Sequence, residues 1–283
     1  MSKKTVNGIE YIDTPELLKT IQEWLTDGKP FFHTRYNDGE LFSMFNLRGP
    51  HKSTGEHHYS VEVGQALMQT FKDLMSNLVN KTEMSQRILL GSWWYVDPTH
   101  EAAAPIKHWI ESNLTPEIQK TIPWTASDLW HNVTLEEAGL CLKNELLDLF
   151  SSIRTIDRKV VLVGNSQIAN AHYYLNSQFV EIPKTDAFNS DQEIYQRLRE
   201  LASDENTLFV WCGGFPAKVW SWRIWKEFPN TCHIDAGCIF DGAFGIYNRS
   251  WLTTHKGVHW KFYSEVVIPP SKVLSHKEQI NES

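Results

Sequence analysis

Hydrophobic positions along the chain change period repeatedly, and the changes outline alternating strands and helices. From Thr14 to Thr26 the apolar residues Leu17, Leu18, Ile21, Trp24 and Leu25 recur at helical spacing, with Thr14-Pro15-Glu16 as a start and Gly28 as a stop. Phe31, Phe32 and Thr34 then read as a strand that breaks at Asn37-Asp38-Gly39, and apolar spacing resumes at Leu41, Phe42, Met44 and Phe45 as a helix opening just after the turn. Val63 to Leu78 carries another amphipathic helix, and Arg87 to Val96 reads as a buried strand running into an aromatic stretch. His100 to Asn113 reads as a helix, and TPEIQKTIPW as a short helix stopped before Pro123. Ser127 to Val133 reads as a short strand, with a helix from Leu135 to Ser151 after it.

The second half repeats one pattern. Lys159 to Gly164 is a β-branched run ending in Gly164-Asn165-Ser166, followed by a helical stretch from Ile168 to Leu175. Phe179 to Pro183 is a short strand before a charged amphipathic helix. Thr207 to Cys212 ends in Gly213-Gly214-Phe215-Pro216, with a helix from Ala217 to Glu227 behind it, and Thr231 to Ala236 delivers Asp235-Ala236-Gly237 to a sheet edge. Three short apolar strands thus end at Gly164, Gly213 and Asp235. Alternation of this kind implies an α/β fold with a Rossmann-like, doubly wound, mostly parallel sheet whose strand ends share one rim. Each glycine taken singly is also explained as a cap or tight turn. No G-x-G-x-x-G follows Lys159 to Gly164, so a dinucleotide fingerprint is absent.

The chemistry concentrates where the first long strand breaks. Asp38 and Glu40, one glycine apart, can aim two hard oxygen ligands at one divalent cation, and such a cation commonly also holds substrate phosphates. Arg35 adds a planar donor fork suited to phosphate or carboxylate. The competing reading makes Asp38-Gly39 a turn and Glu40 a carboxylate facing the helix dipole.

Composition narrows the classes. The 283 residues form one α/β domain in this reading, residues 1–283, with 245–283 an aromatic C-terminal extension. No run is long and apolar enough to span a membrane, and the N-terminus lacks a signal-peptide core, which argues for a cytoplasmic protein. A formal net charge of −7 disfavours bulk electrostatic capture of nucleic acid. The four cysteines, Cys141, Cys212, Cys232 and Cys238, have no zinc-ligand spacing. Three histidines, His51, His57 and His58, lie in a polar loop, and His131 near a strand end is a further substrate-facing candidate against a structural reading. Twelve tryptophans are unusual, and Trp93, Trp94, Trp220 and Trp222 are candidates for stacking on a sugar or base, with burial as the alternative for each.

The order RYNDGE, VVLVGN, EIPKTDAFNSDQEIY and FVWCGGFPAKVWSWRIWKEFPNTCHIDAGCIFD resembles bacterial glycosyltransferases of the GT-D fold, a family first catalogued as a domain of unknown function. The resemblance runs from about Arg35 to Asp241 and is weakest between Arg48 and Arg158. It implies that Asp38 and Glu40 hold a manganese or magnesium ion on the diphosphate of a nucleotide sugar, and that Arg35 neutralises charge. It also implies nucleotide-side roles for Gly164, Asn165, Ala187, Phe188, Gly214, Pro216 and Ala217, and matches Asp235, Gly237 and Asp241 to the family's late aspartate motif. Tyr36-Asn37 replaces the family's Phe-Gly, Phe215 splits its glycine-proline pair, and Cys238 stands where many relatives have histidine.

The expected function is therefore a metal-dependent glycosyltransferase using a nucleotide-sugar donor, with a UDP-sugar favoured. Asp38, Glu40, Asp235 and Asp241 are the candidate catalytic residues, Asp235 or Asp241 serving as base or ribose contact. The acceptor is a glycan or glycoprotein, with a modified DNA base as a second class. A metal-dependent phosphoesterase or nucleotide hydrolase and a non-catalytic nucleotide-sugar binding module are the alternatives.

Overall fold

A computed structural model describes residues 3–6, 9–47, 60–92, 103–125, 143–237 and 239–240. The strands are β1 (Lys3–Val6), β2 (Ile9–Ile12), β3 (Phe32–Tyr36), β4 (Ile88–Ser92), β5 (Trp124–Thr125), β6 (Lys159–Gly164), β7 (Gln178–Glu181), β8 (Thr207–Cys212) and β9 (Cys232–Asp235). They form one sheet in the order β1-β2-β5-β4-β3-β9-β8-β6-β7. The eight strands from β2 to β7 in that order are parallel, and β1 pairs antiparallel with β2 at one edge. The α/β, mostly parallel sheet expected from the strand spacing is what forms.

The helices are α1 (Thr14–Thr26), α2 (Asp38–Met44), α3 (Val61–Val79), α4 (Ala103–Asn113), α5 (Pro116–Gln119), α6 (Lys143–Thr155), α7 (Ala171–Leu175), α8 (Asp191–Ala202) and α9 (Pro216–Glu227). They cover both faces, which is why the strands are nearly continuous apolar runs. On one face Val160, Leu162, Leu208, Val210 and Ile234 pack with Leu17 and Ile21 of α1, Phe150 and Ile153 of α6 and Leu175 of α7. On the other, Phe32 and Leu90 pack with Phe42 of α2, Phe71 of α3 and Trp225 of α9, while Val161, Val163 and Phe209 pack with Ile194 of α8 and Trp220 of α9.

Local chemistry sets the ends of α1. Asp13 caps it, accepting from the Glu16 N–H at 3.3 Å, Pro15 occupies its first turn, and Gly28 leaves it at φ +66°. The tryptophans of α9 turn inward. Trp220, Trp222 and Trp225 are all buried, Trp225 against Phe32 at 5.2 Å between ring centroids. Trp220 and Trp222 are thus core residues, and the stacking role considered for them gives way to packing. Trp93, Trp94, His51, His57, His58, His131, the strand expected at 127–133 and the extension 245–283 lie outside the described residues.

Candidate functional site at the β3–β9 rim

β3 and β9 are parallel neighbours at the centre of the sheet, so their carboxyl ends open on the same rim, the side on which open α/β sheets place ligands. In parallel register, Phe32 lies opposite His233 and His33 opposite Ile234, which brings Arg35 beside the residues that follow β9.

Asp235, the last residue of β9, is the hub. Its Oδ2 accepts the Arg35 backbone N–H at 3.2 Å and a hydrogen bond from Lys218 Nζ, and its Oδ1 lies 3.4 Å from Arg35 Nε. Burial opposes its charge, but the Lys218 ammonium and then the Arg35 guanidinium outweigh that and hold the carboxyl below the ordinary aspartate range. Lys218 enters from the first turn of α9, is only 4% exposed, and its Nζ also lies 3.5 Å from Glu40 Oε1. Glu40 is the third residue of α2, and its Oε2 accepts the Asn37 backbone N–H at 3.0 Å, so this carboxylate closes the helix N-terminus. Two carboxylates and two cations from β3, α2, α9 and β9 thus form one compact, charge-balanced cluster. Lysine is almost never buried so fully unless paired.

Arg35 is the more exposed cation, with 13% of its side chain accessible. Its guanidinium passes over Gly237, where a Cβ would overlap Nη2, and Gly237 has φ +57°. A side chain there is strained by the backbone and displaces the guanidinium. His33, one turn of pleat below Arg35, is buried, and no described residue hydrogen-bonds either ring nitrogen. Burial lowers its pKa to about 4 against the pull of Asp235, with Arg35 and Lys218 reinforcing the fall.

The other residues singled out from sequence are dispersed. Asp38 opens α2 as its first residue, so Asp38-Gly39 belongs to the helix rather than to a turn before it; the side chain of Asp38, with Asp241 and Cys238, lies outside the described positions. Gly164 ends β6, where an added Cβ would overlap Ile168, and the Asn165 side chain accepts the Gln167 N–H at 2.9 Å, capping a short 3-10 turn. Gly214 turns the chain at φ +63° between β8 and α9. Pro216 and Ala217 begin α9 and are buried; Ala187 is buried beneath α8, and Phe188 packs on Trp220. Gly237 alone of this glycine set touches the charged cluster.

Of the expected Asp38–Glu40 metal pair, the Glu40 side chain lies in this cluster. One Glu40 oxygen carries the helix cap and the other faces an ammonium, and among the described residues no group of three or more His, Cys, Asp or Glu is placed to hold a metal. With Lys218 where it is, the described carboxylates do not fit a divalent ion. Lys218 itself was invisible as a site residue in the sequence reading, although a lysine flanked by Ala217, Val219, Trp220 and Trp222 on a helix apolar on nearly every side is a usable signal.

An α/β, mostly parallel sheet with a charged cluster at the carboxyl ends of its central strands defines a class, and comparison with solved structures makes the fold particular. The fold is that of a domain of unknown function 1792 described as having a distinct glycosyltransferase fold: 16% identity, TM-score 0.50, 81% of this chain and 78% of the other. A selenomethionine-substituted structure of the domain gives the same values. A protein described as a new glycosyltransferase from Streptococcus sanguinis matches at 16% identity and TM-score 0.49, over 84% of this chain and 83% of its own. No family model matches the chain, and no curated protein matches it. Among the described residues no helix is long and apolar enough to cross a membrane.

Proposed function

We propose that the protein is a glycosyltransferase that takes a sugar from a nucleotide-sugar donor, with its diphosphate seated over the ends of β3, β9 and β8. The observation that carries this reading is the Arg35–Asp235–Lys218–Glu40 cluster at the carboxyl ends of the central strands of a sheet whose fold is shared with a glycosyltransferase fold. Loss of a nucleoside diphosphate leaves two phosphates bearing new charge, and fixed cations aimed there stabilise that charge more in the transition state than before it. Arg35 supplies this charge. Asp235 holds its guanidinium in place, so little reorganisation is needed at the moment of transfer.

The depressed Asp235 carboxyl is a weak base and is committed to Lys218 and Arg35, so its part is to position those cations rather than to deprotonate the acceptor. That leaves Asp38 and Asp241 as the carboxylates for acceptor activation. A uridine diphosphate donor and a glycan or glycoprotein acceptor are the specific forms of the proposal. The net charge of −7 weighs against a DNA acceptor.

The test is calorimetric titration of the full chain with uridine, guanosine, cytidine and adenosine diphosphates, followed by turnover of the matching nucleotide sugars with and without an acceptor panel. Selective binding of one diphosphate, weakened by Arg35→Ala, and turnover that depends on an acceptor are expected. Binding of none overturns the donor site. Turnover at the same rate without acceptor reassigns the protein as a hydrolase.

A further inference from the structure

Lys218 does more than balance Asp235. Its ammonium is shared between two carboxylates far apart in the chain, Asp235 at the end of β9 and Glu40 in the first turn of α2. We propose that Lys218 is a built-in competitor for a divalent cation at Glu40, so that the ammonium and a metal ion exclude each other there.

Size comes first. A magnesium or manganese ion binds carboxylate oxygen at about 2.1 Å, so an ion approaching Glu40 Oε1 from the lysine side falls inside the 3.5 Å gap to Nζ. Charge points the same way. Among the described groups Glu40 and Asp235 are matched one for one by Arg35 and Lys218, and a divalent ion added to that set meets no uncompensated carboxylate. With Lys218 removed, the same set is one negative charge in excess and Glu40 Oε1 is open. Burial then sharpens the contest, since two cations cannot be screened from each other by water at a position where the lysine is 4% exposed.

This inference deepens the transferase reading by assigning the site its own cation, but it does not need transfer to be true, because metal binding is measured without nucleotide. The experiment is manganese titration of the full chain at neutral pH, followed by electron paramagnetic resonance of the free ion, for the wild type, Lys218→Met, Lys218→Arg and the double variant Lys218→Met/Glu40→Gln. Lys218→Met is expected to bind manganese at least about tenfold more tightly than the wild type, as removal of an adjacent like charge requires. Lys218→Arg keeps the charge and the weak affinity, and the double variant loses the gain. Equal or weaker binding by Lys218→Met, a gain that survives Glu40→Gln, or no binding by any protein overturns the proposal.

If the exclusion holds and no nucleotide sugar is turned over, the transferase reading falls while this one stands.

Discussion

The guanidinium of Arg35 lies in the space that a side chain on Gly237 would fill, so one residue's lack of a Cβ fixes the position of another's charge. Gly237→Ala therefore has two effects. Alanine at φ +57° costs about 1 kcal/mol of backbone strain, and its methyl group displaces the guanidinium from Asp235 Oδ1. Nucleoside diphosphate affinity is expected to fall at least as far as in Arg35→Ala, with a modest loss of thermal stability. Unaltered affinity would separate Arg35 from the ligand.

Asp235 is the only carboxylate that touches both cations of the cluster among the described residues. Asp235→Asn leaves Lys218 buried beside an amide, and breaking a buried ion pair from one side typically costs about 3–5 kcal/mol. Urea denaturation should show that loss as a lower midpoint. Adding Lys218→Met removes the stranded charge and should recover part of it, because residues in one network are not additive. A double variant no more stable than Asp235→Asn would mean that the lysine is not held by this pair.

Stability should depend on pH through His33. Its folded pKa of about 4 lies below the ordinary 6.5, so the unfolded chain binds the proton first as pH falls and the native state loses ground across that window. The contribution is complete above pH 6.5 and declines by about 1.4 kcal/mol per pH unit below it. His233, lowered to about 3 by burial, acts with the same sign. His33→Gln should flatten the slope of unfolding free energy between pH 6 and 4.5 by roughly half, leaving the part owed to His233; an unchanged slope would contradict the burial of His33 as a neutral ring.

Gly64 of α3 sits against the backbone of α2, where an added Cβ would overlap the Ser43 carbonyl oxygen. Backbone cannot rotate aside as a side chain can, so Gly64→Ala must push α2 away from α3. A destabilisation of about 1–3 kcal/mol is expected, typical of overpacking. Because α2 carries Glu40, the variant should also weaken the Lys218–Glu40 contact, measurable as faster amine labelling of Lys218.

The parts of the fold readable from sequence are those in which burial is written into consecutive residues. Val160 to Val163 and Leu208 to Trp211 are apolar on both faces because helices cover both faces, and α1 keeps its spacing because one side meets the sheet. The hairpin of β1 and β2 was not anticipated, since KKTV and IEYI are short and polar enough to pass for an unstructured N-terminus, and their pairing is set by contact with each other and with β5. Strand β5 has two residues and no period at all. Within the charged cluster, Arg35 and Asp235 stand out in the sequence because they lie at strand ends, and Glu40 because it follows the Asn37-Asp38-Gly39 break at the start of a helix. Lys218 does not, because its partners are 17 and 178 positions away in sequence, and nothing local distinguishes a paired buried lysine from one that reaches solvent.

Glu40 answers to two masters, the amide of Asn37 and the ammonium of Lys218. Any ligand that draws this carboxylate outward must also loosen the first turn of α2, and one that presses it inward must tighten it. Hydrogen exchange of the backbone amides at the start of α2 is therefore expected to change when the rim fills, even where no part of the ligand touches that helix.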